Sequence, residues 1–127
     1  MEYSQRERLI QDYIAAYNSF DVEAMIAYLD DDVRFVNIAH DEINLSLMGR
    51  RAFWDQAVQA ADFFSERKQT VLSYNHTSEE TEILVQYHAI LAIDLPNGLQ
   101  KGQVLDMNGR SIFKFADGKI SSLTDIT

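Results

Sequence analysis

The chain has 127 residues, 46% of them apolar, with a formal charge of −9 and no cysteine. That length suits one domain, here residues 1–127, able to bury roughly two-thirds of its unfolded surface. So acidic a surface repels phosphate backbones and argues against nucleic-acid binding. Without cysteine there is no disulfide frame, thiolate metal site or thiol nucleophile. No apolar run reaches membrane-spanning length. The charged start Met-Glu-Tyr-Ser-Gln-Arg-Glu-Arg is no secretory signal, so a cytoplasmic location is expected.

Ser4-Gln5-Arg6-Glu7 has the form of a capping box. Leu9, Ile10, Tyr13, Ile14, Tyr17 and Phe20 follow at helical spacing. A second short helix is expected after Asp21 as N-cap, burying Val22, Met25, Ile26 and Leu29. Asp30, Asp31 and Asp32 read as a solvated turn into a strand over 33–39, and residues 40–48 as a loop. Gly49 opens a third helix over 50–65, with Phe53, Ala57, Ala61 and Phe64 as its apolar stripe. The period then changes to two, predicting strands at 68–77, 81–93, 102–115 and 119–127. Ser78-Glu79-Glu80, Leu95-Pro96-Asn97-Gly98 and Asp117-Gly118 supply the turns. Helices first and then an antiparallel meander make an α+β fold, with the helices on one face of a curved sheet.

Alternation assigns the faces. Leu105, Met107, Gly109, Ser111, Phe113 and Phe115 share one face of their strand, and Ile83, Val85, Tyr87, Ala89 and Leu91 share one of theirs. Gln86, His88 and Ile90 lie on the opposite, outer face, a mixture that suits a subunit contact. If Phe35 and Leu123 point inward, Asn37 and Asp125 do too. The interior therefore receives Asn37, Ser111, Asp125 and the hydroxyls of Tyr13, Tyr17 and Tyr87. Burying a lone carboxylate is costly, so Asp125 calls for partners, a raised pKa or a solvated pocket. Plainer roles remain open: Asn37 as a structural amide, Asp125 reaching water near its strand end, Ser111 as a neutral filler and the tyrosines as core. His40, His76 and His88 show no metal-ligand spacing, and no cofactor fingerprint is present.

The runs YIAAYNSFDVEAMIAYLDDDVRFVN, GRRAFW and GRSIFKFADGKISSLTD together resemble the SnoaL-like branch of the nuclear transport factor 2 superfamily. The resemblance implies a cystatin-like cone: a strongly curved, mixed but mostly antiparallel sheet around three helices and an internal pocket. It also implies homodimers through the outer sheet face of Gln86, His88 and Ile90. Against the ketosteroid isomerases of that superfamily, Tyr13 matches the helix-borne tyrosine, but Asn37 stands at the aspartate base and Ser111 at the second aspartate. An amide cannot accept the proton. Against limonene-type epoxide hydrolases, Asn37 and Asp125 match, while Phe35, Tyr87 and Ala89 replace a tyrosine, an arginine and the other aspartate.

Two readings follow. In one, a small, largely apolar, oxygenated molecule binds in the cone and is acted on by single-carboxylate acid/base chemistry of the isomerase, cyclase, lyase or hydrolase type. Asp125, Asn37 and Tyr13 are then the candidate catalytic residues, and Tyr17, Phe35, Phe53, Trp54, Tyr87, Met107, Ser111 and Phe113 the candidate lining. In the other, a degraded site leaves a non-catalytic ligand binder or a dimeric interaction module. Neither reading uses a metal or a cofactor.

Overall fold

A computed structural model describes all residues, Met1–Thr127. The order is α1 (Tyr3–Asn18), α2 (Val22–Ala27), β1 (Leu29–Ala39), β2 (Glu42–Met48), α3 (Arg50–Ala61), β3 (Phe64–His76), β4 (Glu80–Leu91), β5 (Val104–Ala116) and β6 (Lys119–Ile126). The strands form one open sheet in the order β2-β1-β6-β5-β4-β3. Every pairing is antiparallel except β1 with β6, which brings the last strand beside the first. Register shifts put extra residues into β1, β2, β3 and β6, and such bulges bend and twist a sheet. The α+β architecture is as expected.

The helices lie on the inward face of the sheet. Ile10, Tyr13 and Ile14 of α1, Met25 of α2 and Phe53 of α3 pack with Leu29, Val33, Ile83, Val85, Phe113, Ile120 and Leu123 in one core. The helical spacing of the first set and the alternation of the second meet there as the patterns predict. α1 is stitched to the sheet at both ends. Near its start, Arg6 donates to the carbonyls of Thr77, Ser78 and Glu80 in the β3–β4 turn. Near its end, the Asn18 amide and the Gln69 backbone exchange two hydrogen bonds of 3.1 and 2.8 Å.

Several boundaries differ from expectation. The capping box of α1 is built from Glu2 and Gln5, so the helix begins before Ser4. α3 ends at Ala61, and Phe64 opens β3 instead of extending the helical stripe. The acidic triplet is not a turn: it lies inside β1, in the bulge between the pairs Leu29–Ile120 and Arg34–Ser122. Residues 40–48 are not a loop, because Glu42–Met48 is an edge strand joined to β1 by a two-residue turn. His40 and Asp41 both take positive φ (54° and 64°) there, as a type I′ turn demands. Histidine followed by aspartate is poor advertisement for a turn usually written Asn-Gly. Asp117-Gly118, the expected turn between β5 and β6, also takes two positive φ values (52° and 76°), with the usual residues.

Candidate functional site

The pairing of β5, β6 and β1 builds the site. Ser111 pairs with Asp125, and Asp125 with Asn37, so three polar side chains share one row of the inward face. The next inward row is apolar, pairing Phe113 with Leu123 and Leu123 with Phe35. A pocket of about 210 Å³ opens over the polar row. Its lining includes Asn37, Ser111 and Asp125 at one end, Tyr17, Gln69, Tyr87 and Met107 at the other, and Val85 and Gly109 between. The volume lies below the roughly 300–1,000 Å³ typical of ligand pockets, so it suits a molecule of about one ring.

Asp125 is the one acid in this lining. Ser111 Oγ donates to its Oδ1 at 2.7 Å. Burial pushes the Asp125 carboxyl up from 3.8 to about 6, against the smaller pull of the Ser111 bond toward the ionised form. The group therefore exchanges a proton near neutral pH, which suits it to either acid or base work.

Two phenols share the pocket with this carboxyl, and a third, Tyr13, lies beneath it. Tyr17 and Tyr87 hydroxyls are 3.0 Å apart and hydrogen-bonded to each other. Tyr13 is buried in the core, edge-on to Phe113 and tilted against Phe53. Burial raises all three phenols above their usual range, so they serve as neutral donors. No hydrogen bond offsets the burial of the Tyr13 hydroxyl, and its interaction with Asp125 pushes it further up.

The structure sorts the expected site residues. Asn37, Tyr17, Tyr87, Met107, Ser111 and Asp125 come together in the pocket. Asn37 is half-buried, and its Nδ2 donates one hydrogen to Asn44 Oδ1 at 2.8 Å across the β1–β2 pair. Its carbonyl oxygen and the second Nδ2 hydrogen are left for a ligand. Phe35, Phe53, Phe113 and Tyr13 do not line the pocket; they pack on one another beneath it, with Phe35 and Phe53 edge-to-face at 5.5 Å. Trp54 lies elsewhere, in a shallow cleft with Glu23, Ile26, Arg50 and Arg51. It follows Phe53 on α3, and a one-residue step turns a side chain about 100° around a helix, away from the face that Phe53 buries.

Sequence reasoning missed two contributors. Gly109 lets the end of β6 approach, since a Cβ there would meet Ile126 O at 2.9 Å and Thr127 Cγ2 at 3.1 Å. Arg67, 4% exposed, sits behind Tyr17 with its guanidinium 3.8 Å from the ring centroid. Its signal was parity with Gln69 and Val71, although a charge in a strand ordinarily reads as outward. A larger groove of about 1060 Å³ runs by the start of α1 and the β5–β6 turn. Its lining mixes Arg6, Arg8 and Lys114 with Asp12, Glu79 and Asp117 and holds none of the candidate residues.

Solved structures share this architecture. A candidate polyketide cyclase from Xanthomonas campestris pv. campestris superposes with a TM-score of 0.82 at 21% identity, over 98% of this chain and 90% of that one. An uncharacterized cystatin-fold protein from Novosphingobium aromaticivorans gives 0.76 at 15%, over 94% and 96%. A hypothetical protein with a ketosteroid isomerase-like fold from Catenulispora acidiphila, in complex with trimethylamine, gives 0.74 at 12%, over 92% and 82%. No curated protein matches the sequence. Residues 10–123 match the SnoaL-like domain. With that match across nearly the whole chain, and the cystatin-like fold around it, the chain belongs to the SnoaL-like family within the nuclear transport factor 2 superfamily.

Proposed function

We propose that the chain binds a small, largely apolar, oxygenated molecule in the pocket above Ser111, Asp125 and Asn37 and moves a proton on it with Asp125. One observation carries this reading: a single carboxyl, pushed up to about 6 by its burial, shares a cavity with the Tyr17 and Tyr87 hydroxyls. A carboxylate there can take a proton from carbon or oxygen and return it elsewhere on the ligand. Tyr17 or Tyr87 donates to the ligand oxygen that gains charge. This is the acid/base step of a cofactor-independent isomerase, cyclase, lyase or hydrolase. The kinship with SnoaL-like proteins supports it, as does the name polyketide cyclase borne by a structural neighbour. The small volume points to substrates of about one ring.

Non-catalytic binding is favoured by a different observation: Asn44 ties down the Asn37 amide with one hydrogen bond, and four of the expected aromatics pack together instead of lining a cavity. A panel of single-ring ketones in heavy water separates the two. Asp125 chemistry predicts saturable exchange of hydrogens next to the carbonyl, abolished in Asp125→Asn with ligand binding retained. Saturable binding without exchange in the wild type assigns a binder.

The outer face is proposed as a homodimer contact. Leu84 and Val104 are 45% and 51% exposed there, beside Gln86, His88 and Ile90. Asp106, by hydrogen bond and charge, and Glu66 by its charge raise the pKa of His88, favouring a charged imidazole in that contact.

A further inference from the structure

Arg67 is buried in β3 with no acid within ion-pair distance. Its Nε donates to the carbonyl of Tyr17 at 2.9 Å, at the negative end of the α1 dipole. The guanidinium stacks on the rings of Tyr17 and Phe20 at 3.8 and 4.4 Å. Its Nη2 is inaccessible and without a hydrogen-bond partner. A buried cation compensated only by a carbonyl and two ring faces leaves a positive field uncancelled. That field falls on the pocket phenols: Arg67 favours the anionic form of Tyr17 and Tyr87, as of Tyr13 beneath them, and an ionised Asp125 opposes it. Arg67 lies behind the lining, whose own charged side chains are Asp125 and Arg110, the latter engaged by Glu82 at 2.8 Å.

The Tyr17–Tyr87 couple has two hydroxyl hydrogens and spends one on the bond between the rings' oxygens. The second remains to donate into the pocket, where the Gln69 side chain donates to the Tyr17 hydroxyl and favours its anionic form as well. We propose that the pocket receives a negatively charged ligand oxygen at the Tyr17–Tyr87 hydroxyl couple, with Arg67 behind Tyr17 as the positioning residue that balances its charge. The proposal rests on the pocket reading above and names the ligand class that reading leaves open. The oxygen belongs either to a carboxylate or to an enolate. For the enolate, the bond from hydrogen to the carbon beside a carbonyl breaks, its proton goes to the Asp125 carboxylate, and the electron pair passes to the carbonyl oxygen. One negative charge then moves from Asp125 to the ligand while Arg67 stays as it was, so the net charge of the interior does not change.

Benzoate and its neutral counterpart benzamide test this by calorimetric titration at about pH 5, where Asp125 is largely protonated. Wild type is expected to prefer benzoate by about tenfold or more. Arg67→Met is expected to erase that preference while keeping benzamide affinity within about twofold, and Arg67→Lys to restore part of it. A merely structural Arg67 would lower both affinities together. Should Arg67→Met not fold, Tyr17→Phe and Tyr87→Phe carry the same expectation of lost preference. Equal affinities in wild type, or a preference that survives Arg67→Met, overturn the proposal and leave the pocket reading standing. Failure of wild type to bind either probe overturns both. Loss of ketone hydrogen exchange alongside benzoate preference in Arg67→Met assigns the oxygen to an enolate, and loss of benzoate preference alone assigns it to a ligand carboxylate.

Discussion

Asp125→Asn should make the protein more stable at neutral pH, because the native carboxyl is held where its charge is unwelcome. Holding it at about 6 when the unfolded chain has 3.8 withdraws about 3 kcal/mol once the group is ionised in both states. The sign follows from proton binding. Well below 3.8, at about pH 2–3, the carboxyl is protonated in both states and exacts no penalty. As pH rises toward about 6, the unfolded chain has already lost its proton and the folded chain still holds one, so stability falls. Above that the loss is constant. An amide of the same shape removes the penalty, at the expense of roughly 1 kcal/mol for a weaker bond to the Ser111 hydroxyl. The net gain at about pH 7 is about 2 kcal/mol, or about 6–8 °C in Tm. Urea denaturation from about pH 4 to pH 8 checks it: the variant's advantage should grow as pH rises and its m-value should stay unchanged. A variant less stable than wild type at neutral pH, or a difference independent of pH, would refute the reasoning.

Ser111→Ala should move the Asp125 pKa upward, since the hydroxyl favours the ionised form, and should lower neutral-pH stability by about 1 kcal/mol. An NMR titration paired with denaturation reads both. Gly109→Ala should lower stability by about 1–3 kcal/mol and loosen the end of β6, visible as faster amide exchange at Ile126, because backbone and not a flexible side chain meets the new methyl at 2.9 Å. Leu84→Glu should leave the circular dichroism spectrum unchanged and convert a dimer to a monomer in sedimentation, as it places a charge in the proposed outer-face contact.

Where one face of a strand is dry, the sequence states its parity. Ile83, Val85, Ala89 and Leu91 are buried as their alternation requires, and from the same counting Ser111, Asp125 and Asn37 fall into one row. Edges were harder. β2 carries alternating Ile43, Leu45 and Leu47, but Ile43 and Met48 are largely exposed and the turn before it lacks glycine. The boundary between pocket and core was also illegible. Phe35, Asn37, Phe113 and Ser111 share a face, yet only the polar members border the cavity, a division set by how Tyr13 and Phe53 descend from the helices. Arg67 escaped notice because its burial depends on the end of α1, a contact 50 residues away in sequence.

Asp125 is central: an acid that trades its proton near neutrality inside the protein. A carbon-13 NMR titration of the Asp125 carboxyl measures this directly. A midpoint near 6 is predicted, and a midpoint near the ordinary 3.8 would contradict it.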